Sequence, residues 1–497
     1  MTSEYDVVVV GGGLMGAAVA ARIRGVRDDA SIAIVDAGPS VGAAGEHLHD
    51  IADETLWAKY NAAVSSGVQA TYAGIESHDL GRDGVLATPG VYHLNNFGNS
   101  SDELPGAAIG WNAGGMGVHW TAATPTPSGF EQPAFIDDDE WAAQLGIARS
   151  LLRVCEQPYE STAENETIRA VLAKSLGDVR AMPMAVNPEV SGRKRRTSPA
   201  VIFPPLVDAA SDPLTTVIGG VVCTSIENDG HVATEVRYRQ LATGATGSVR
   251  ARFVVVCADV VRSPQLLWAS GIRPAALGRN INEHAFVTSR VVVDHEALGI
   301  DLADVARPAD REVVTGSYWA PHAGAARPST GQINTRPIFG QDLSTIEGLV
   351  TSLSWYVPLE TSSESFIEYS SDQVDYAGMP RMTVHFARTD EDLARIDAAA
   401  QLVGELAATL GPFDPATDLR KLPPGSSLHY TGTVRSGSID DGTSVCDPHG
   451  KIWGMDNVYV AGTGVIPTPM SGNTTLAGMI TAVRAAAAVG ARLTADA

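Results

Sequence analysis

Cysteine and positive charge are both scarce in this chain of 497 residues. The four cysteines (Cys155, Cys223, Cys257 and Cys446) stand too far apart for a CxxC or zinc-binding spacing, so we interpret them as reduced structural thiols. Lysine and arginine number 35 against 57 aspartates and glutamates, which gives a net charge of −22. Such an acidic chain excludes nucleic acid and an anionic membrane as main partners, because both bind positive surfaces.

Long apolar runs are also missing. No uninterrupted apolar segment approaches the roughly 20 residues that a membrane-spanning helix needs. The N-terminus passes straight into an apolar strand, without the basic and apolar regions of a signal peptide. We therefore expect a cytoplasmic protein with no membrane partner. The one basic run, Arg193-Lys194-Arg195-Arg196, fits either a solvated loop or a grip on an anionic substrate group.

The first forty residues carry a dinucleotide-binding pattern. A β-branched run at 5–10 leads into GGGLMG at 11–16 and then into an alanine-rich helix. Gly11 allows the tight turn, Gly13 lets the backbone approach a pyrophosphate, and Gly16 lets the helix pack on the strand. Asp36, at the end of a second strand, stands where a carboxylate accepts from a ribose hydroxyl. The pattern alone does not separate NAD from FAD.

The remaining sequence predicts a nucleotide domain built from both ends of the chain. Residues 214–258 alternate as strands, and a strand at 457–462 precedes a helix at 474–489. The intervening segments that alternate without long helices, and so predict an antiparallel sheet, are 286–294, 349–358, 365–370 and 379–386.

These elements indicate an α/β fold, α+β overall. A Rossmann-like domain is discontinuous, and an inserted substrate domain is built on an antiparallel sheet plus helices. The nucleotide domain is predicted to comprise residues 1–155, 205–285 and 425–497. The substrate-binding domain is predicted to comprise residues 156–204 and 286–424.

Several further segments carry recognisable motifs. They are 114–125 (GGMGVHWTAATP), 258–271 (ADVVRSPQLLWASG), 277–284 (LGRNINEH), 428–435 (LHYTGTVR) and 462–476 (GTGVIPTPMSGNTTL). With the GxGxxG pattern, and in this order, they resemble the glucose–methanol–choline (GMC) oxidoreductases. Within that family they are most similar to the pyranose 2-oxidase branch, whose bacterial relatives include C-glycoside 3-oxidases. Asp259 departs from the pattern, since the family commonly has glycine there.

The resemblance implies FAD as the cofactor and the oxidation of a carbinol, with hydride passing to flavin N5. The hydroxyl proton needs a base, and the resemblance assigns that role to His429, whose imidazole ordinarily titrates near neutrality. Asn473 would hold the alcohol oxygen from the other side. The two residues flank the strand at 457–462 and could meet at its carboxyl end. On the residues alone, His429 also fits an ordinary core histidine and Asn473 a turn residue.

The resemblance also implies cofactor contacts. His119 matches a position at which some pyranose oxidases attach the flavin covalently, and either a covalent bond or simple packing fits it here. Thr121 matches a threonine near the reactive part of the flavin, and Val222 falls near the adenine. The other expected contacts are Gly115, Met116, Trp120, Gly462, Thr463 and Thr475. No metal site is expected.

The function implied is the oxidation of a secondary ring hydroxyl of a glucose-like sugar or glycoside, at carbon 3 or carbon 2, to a keto-sugar. The electron acceptor would be oxygen, giving hydrogen peroxide, or a quinone. Trp120, Trp355 and Trp453 are candidates for the wall of an aglycone site. The alternatives are a GMC enzyme of non-sugar alcohols and a lyase with redox-silent FAD. The sequence leaves the oligomeric state open.

Overall fold

The computed structural model describes residues 4–40, 42–75, 80–187 and 194–495. In chain order the strands are β1 (Glu4–Val10), β2 (Ile32–Val35), β3 (Gly90–His93), β4 (Ala108–Trp111), β5 (Arg180–Ala181), β6 (Val186–Asn187), β7 (Arg195–Arg196), β8 (Thr215–Ile218), β9 (Val221–Asn228), β10 (Ala233–Gln240), β11 (Thr246–Val256), β12 (His284–Val292), β13 (Gly316–Ala320), β14 (Thr330–Phe339), β15 (Ile346–Pro358), β16 (Phe366–Val374), β17 (Pro380–His385), β18 (Leu419–Lys421) and β19 (Val458–Val460). The α-helices are α1 (Leu14–Val26), α2 (Glu54–Ala73), α3 (Gly81–Ala87), α4 (Asp138–Leu152), α5 (Ala163–Leu176), α6 (Pro199–Ile202), α7 (Arg262–Ala269), α8 (Asp390–Ala408), α9 (Pro415–Asp418) and α10 (Thr475–Ala495).

The first large sheet has seven strands in the order β8-β2-β1-β11-β10-β9, with β19 paired to β11. The strands β8, β2, β1, β11 and β19 run parallel, whereas β9 and β10 add an antiparallel edge. Val7 and Val9 of β1 pack against α1 and α10, while Val8 and Val10 join the core on the opposite face. Burial on both faces explains the unbroken apolar run that predicted this strand.

The second large sheet is antiparallel throughout, in the order β18-β12-β15-β14-β13-β5. It confirms the antiparallel sheet predicted from the segments 286–294 and 349–358. The segments 365–370 and 379–386 were wrongly predicted to join it, because they pair with each other as the separate hairpin β16–β17. Alternation reveals which face of a strand is buried but not which strand lies beside it. The strands β13 and β14 were not predicted.

The structure bears on two predictions, those on the cysteines and on long apolar segments. All four cysteines are free, as expected. The helix α10 is long and apolar enough to cross a membrane by length and composition, but 72% of its most apolar window is buried inside the protein. The helix α10 is therefore a core helix, packed against α1 and α4. The predicted domain boundaries stay a prediction, although the two large sheets draw on the segments assigned to the two domains.

Candidate active site

The turn between β1 and α1 has the geometry that its glycines predict. Gly11 has a φ of +108°, a left-handed backbone that favours glycine, and a side chain there would strike the carbonyl of Cys257. A Cβ on Gly16 would collide with the carbonyl oxygen of Gly11, so only glycine lets α1 approach β1 this closely. The nearest atom to a Cβ on Gly13 would be the Gly114 oxygen at 3.6 Å. The turn thus exposes the N-terminus of α1 towards a ligand.

Asp36 closes this turn at the end of β2. Its Oδ1 accepts a hydrogen bond from Gly12 N at 2.9 Å, and its Oδ2 accepts one from Gly114 N at 2.8 Å. Burial raises the pKa of Asp36, and the two backbone N–H groups oppose that rise. The carboxylate therefore joins the Gly-rich turn to the loop at 112–121, and the predicted contact with a ribose hydroxyl stays a prediction.

One cavity of about 510 Å³ begins at this turn and extends to the second large sheet. Its volume falls within the roughly 300–1,000 Å³ typical of small-molecule sites. All the site residues predicted from the sequence line it except Gly16, which packs α1 on β1 as expected. The predicted residues that line the cavity are Gly11, Gly13, Asp36, Gly115, Met116, His119, Trp120, Thr121, Val222, His429, Gly462, Thr463, Asn473 and Thr475.

His429 and Asn473 meet at the cavity wall. The Nδ2 atom of Asn473 lies 3.3 Å from Nε2 of His429, and Asn473 stands two residues before the start of α10. Burial lowers the pKa of His429 from its ordinary value to about 4, so the imidazole is neutral at neutral pH. A neutral imidazole has one unprotonated nitrogen, which can accept a proton.

The loop that carries His429 is held by a residue that sequence reasoning missed. Glu283 accepts hydrogen bonds from Gly425 N at 2.7 Å and from the Ser427 hydroxyl at 2.8 Å. The Ser427 oxygen in turn accepts from the backbone N–H of His429 at 3.2 Å. Glu283 also lies 3.3 Å from Arg388. The segment LGRNINEH contained Glu283 and His284, so the signal was present, but nothing in the sequence linked it to residue 429.

His119 lines the cavity beside the strand β4. Its ring meets Tyr60 edge to face, with centroids 6.5 Å apart, and its Nε2 is buried without a hydrogen-bond partner among the described residues. Burial lowers the pKa of His119 to about 4. The next residue, Trp120, donates from Nε1 to the Thr197 carbonyl at 2.8 Å, and its own carbonyl lies 3.1 Å from Nε2 of His47. These contacts hold the loop at 115–121 against the cavity.

The far wall of the cavity belongs to the antiparallel sheet, and its residues were not predicted. Gln332 and Asn334 of β14 and Ser354 and Tyr356 of β15 present polar groups to the cavity, and Phe286 of β12 adds an aromatic face. Their alternate positions place them on one face of the sheet. The predicted aglycone wall is wrong for two tryptophans, because neither Trp355 nor Trp453 lines this cavity.

The basic run has a structural role at its last position. Arg196 is buried and donates to both carboxylate oxygens of Glu312, at 2.8 and 3.0 Å. Burial alone would raise the pKa of Glu312, but hydrogen bonds from His49 and Arg196 hold it at about 2. The solvated-loop interpretation is therefore wrong for Arg196, whereas Arg193 lies outside the described residues.

The cavity suits FAD by several independent observations. At the GxGxxG turn, the glycine backbone of Gly11 and Gly13 lines the cavity, and this close approach of backbone suits a pyrophosphate. The N-terminal ends of α1 and α10 border it, so their free N–H groups are available to anionic groups. Two buried polar atoms at its wall, Nε2 of His119 and Oδ1 of Asn473, have no partner among the described residues. Together the fold and this site define a dinucleotide-dependent oxidoreductase whose cavity fits FAD.

Comparison with known proteins identifies the family. Two sequence models described as GMC oxidoreductase match residues 166–286 and 361–482. A C-glycoside 3-oxidase of Microbacterium trichothecenolyticum is 33% identical to this chain, over 99% of the chain and 98% of that protein. A pyranose 2-oxidase of Tricholoma matsutake is 27% identical over 78% of the chain and 74% of that protein. The chain belongs to the GMC oxidoreductase family, its cofactor is FAD, and it acts on CH–OH donors.

A solved structure has the same fold. Pyridoxine 4-oxidase from Mesorbium loti superposes with a TM-score of 0.62, covering 97% of this chain and 99% of that one. The two sequences are 16% identical, so the likeness concerns the fold alone. It confirms the expected combination of a Rossmann-like domain with a sheet-based substrate region.

Proposed function

We propose that this chain is an oxidase that converts a secondary ring hydroxyl of a glucose-like sugar or glycoside to a ketone. Carbon 3 of a glycoside, C-glycosides included, is our first choice and carbon 2 the second. The observation that carries the proposal is the His429–Asn473 pair, 3.3 Å apart, beside a cavity that fits FAD. Full-length similarity to proteins named C-glycoside 3-oxidase supports the choice of substrate and carbon.

In this proposal His429 is the general base. Its unprotonated nitrogen takes the hydroxyl proton as the carbon–hydrogen bond breaks. The neutral state that burial imposes on His429 keeps that nitrogen available at neutral pH. Asn473 lies beside the same nitrogen and can donate to the substrate oxygen through its Nδ2 group, which would fix the alcohol before reaction. Bound FAD supplies the hydride acceptor, at N5.

A sugar ring suits the far wall of the cavity. Equatorial hydroxyls need several donors and acceptors, and Gln332, Asn334 and Ser354 offer both. Gln332 accepts from the Tyr356 hydroxyl at 3.3 Å through Oε1, which leaves its NH₂ group to donate. The apolar faces of Phe286 and Tyr72 border the same space and suit the carbon–hydrogen faces of a sugar or the ring of an aglycone.

The electrons then pass to oxygen, giving hydrogen peroxide, or to a quinone. We place the protein in the cytoplasm as part of this proposal. Its strongly acidic chain makes nucleic acid and an anionic membrane poor partners. The predicted cofactor contacts at Gly13, Asp36, Thr121, Val222 and the residues around them belong to the proposal as well.

The test is anaerobic mixing of the purified yellow protein with glucose, O-glucosides and a C-glucoside. We expect the flavin absorption to bleach, fastest with a glycoside, and we expect NMR of the aerobic product to show a ketone at carbon 3. Bleaching by choline-like, sterol or aryl alcohols but not by sugars would indicate a GMC enzyme of another substrate class. Yellow protein that no alcohol bleaches would indicate a redox-silent lyase.

A further inference from the structure

A second imidazole, that of His284, stands directly behind His429. His284 begins β12, is fully buried and does not line the cavity. Its Nε2 lies 2.8 Å from Nδ1 of His429, and the two rings meet edge to face with centroids 4.9 Å apart. Since Asn473 contacts the other nitrogen of His429, this base is held at both ring nitrogens.

The surroundings of His284 indicate which nitrogen carries each proton. Burial and the neighbouring His429 lower the pKa of His284 well below its usual value, and burial lowers the pKa of His429 to about 4, so both rings are neutral. The Nδ2 group of Asn473 can only donate, so Nε2 of His429, 3.3 Å away, accepts and the proton of His429 lies on Nδ1. That Nδ1–H group donates to Nε2 of His284 at 2.8 Å. With Nε2 as the acceptor, the neutral His284 ring carries its own proton on Nδ1.

The consequence reaches the cavity through one hydrogen bond. If Nε2 of His284 accepts, then Nδ1 of His429 must donate, and the lone pair of His429 lies on Nε2 beside Asn473. We propose that His284 is a positioning residue that selects this tautomer of His429 and stabilises the imidazolium formed when His429 takes the substrate proton. In that step the substrate O–H bond breaks, an Nε2–H bond forms on His429, and the hydride leaves the carbon for FAD. The inference rests on the proposed function.

A purely structural role for His284 is a poor explanation, because the loop is held by other groups. Glu283 anchors Gly425 and Ser427, and Ser427 accepts from the backbone of His429. The backbone at residue 429 is thus fixed without the His284 ring. The titratable and charged groups around that ring are His429, Tyr356 with ring centroids 4.6 Å away, and the adjoining Glu283 with Arg388.

The test compares two variants of the holoenzyme. His284→Phe keeps an aromatic ring against Tyr356 and removes the acceptor, whereas His284→Gln keeps an acceptor oxygen at similar reach. With FAD content matched by absorbance, we expect the Phe variant to reduce its flavin roughly 10–100-fold more slowly with the substrate, and the Gln variant to recover most of that loss. We also expect the rate of the Phe variant to climb towards pH 10, since hydroxide can replace a weakened base.

A packing defect would lower the rate by the same factor at every pH and would not respond to glutamine. A Phe variant with wild-type rates, or a Gln variant as slow as the Phe variant at equal FAD content, would overturn the inference. Nitrogen-15 NMR of histidine-labelled wild-type holoenzyme covers the case in which neither variant folds, with His429→Gln assigning the signals. We expect His429 to be protonated at Nδ1, and protonation at Nε2 would overturn the inference even if sugars fail to bleach the flavin.

Discussion

The two ends of the cavity are built from different chemical groups. At the dinucleotide end, the turn at 11–16 presents backbone N–H groups, and Gly11 and Gly16 are required because a Cβ at either would collide with neighbouring backbone. At the substrate end, the loop at 425–429 presents an imidazole whose orientation depends on side chains from β12 and on Asn473. The first end therefore tolerates no added side chain at Gly11 or Gly16, whereas the second depends on which hydrogen bonds its side chains keep.

This difference predicts different failures when each end is altered. A change at the turn should prevent the cofactor from binding or the domain from folding. A change at the loop should leave a folded yellow protein that reacts slowly. We expect the most severe effect at the turn and the mildest at the start of α7.

The largest effect is expected from Gly16→Val. The new side chain would strike the Gly11 carbonyl and force α1 away from β1, so we expect little or no yellow protein. Gly25→Ala is the matched control, because it lies in the same helix with nothing within 4 Å of an added Cβ. That variant should bind FAD normally and gain up to about 1 kcal/mol in stability. The FAD content of each purified variant is the measurement. A Gly16→Val variant with as much FAD as the Gly25→Ala variant would contradict the steric account.

His429→Ala should give the complementary result. Removing the base should slow anaerobic flavin reduction by roughly 10²–10⁴-fold while FAD content stays unchanged. Stopped-flow absorbance measures the rate. A variant with full FAD content that reduces at the wild-type rate would remove His429 from the mechanism.

The pH dependence of the rate tests whether burial keeps His429 neutral. Because burial lowers the pKa of His429 to about 4, kcat/KM should show no bend near 6.5 and should fall only as the pH approaches 4. The folded protein also binds this proton less readily than the unfolded chain. The stability that the neutral His429 contributes is therefore fully present above about pH 6.5 and is lost as the pH falls towards 4. Initial rates and thermal unfolding between pH 4 and 8 measure the fall in rate and the fall in stability, and a rate profile centred on 6.5 would contradict the buried-base account.

His119 tests whether the cofactor end also uses a covalent bond. A Cβ on Gly110 would lie 3.1 Å from Nε2 of His119, so this nitrogen lies close against the backbone of β4. We expect the flavin to be held without a covalent bond and to stay in the supernatant after acid precipitation. Colour in the precipitated protein would instead show that His119 is the attachment site, provided that His119→Ala releases it.

The smallest effect is expected at Asp259, where the family commonly has glycine. Its φ of +87° favours glycine, while its carboxylate accepts from the N–H groups of Val261 and Arg262 at 2.7 and 2.9 Å. Asp259→Gly should relieve strain and remove a helix cap, two effects of about 1 kcal/mol each and opposite sign. The Tm of the holoprotein should change by less than about 3 °C. A loss of more than about 5 °C would show that the carboxylate does more than cap α7.

The dinucleotide end could be predicted from sequence because its requirements are local. Gly11, Gly16 and Asp36 are close along the chain, and each position follows from the geometry of one turn. The family resemblance added cavity-lining residues that are distant from this turn in sequence, including Val222 and Thr463. Their placement along one cavity agrees with the prediction, and their contacts with FAD stay a prediction.

The substrate end could not be predicted in the same way. His284 lies 145 positions from His429 in sequence, and the antiparallel pairing of β12 with β15 and β18 places it there. Alternation predicted that β12 and β15 are strands, but not that β14 lies beside β15 and supplies Gln332 and Asn334. Strand order depends on long-range packing, so the polar wall of the cavity emerged only from the structure.

Deuterium placed on individual carbons of a glycoside tests the central claim most directly. Anaerobic flavin reduction should slow severalfold when deuterium replaces hydrogen at carbon 3, because that bond breaks as His429 takes the hydroxyl proton. The same substitution at carbon 2 should leave the rate unchanged. An isotope effect at carbon 2 alone would move the reaction to that carbon, and a flavin that no glycoside reduces would contradict the account.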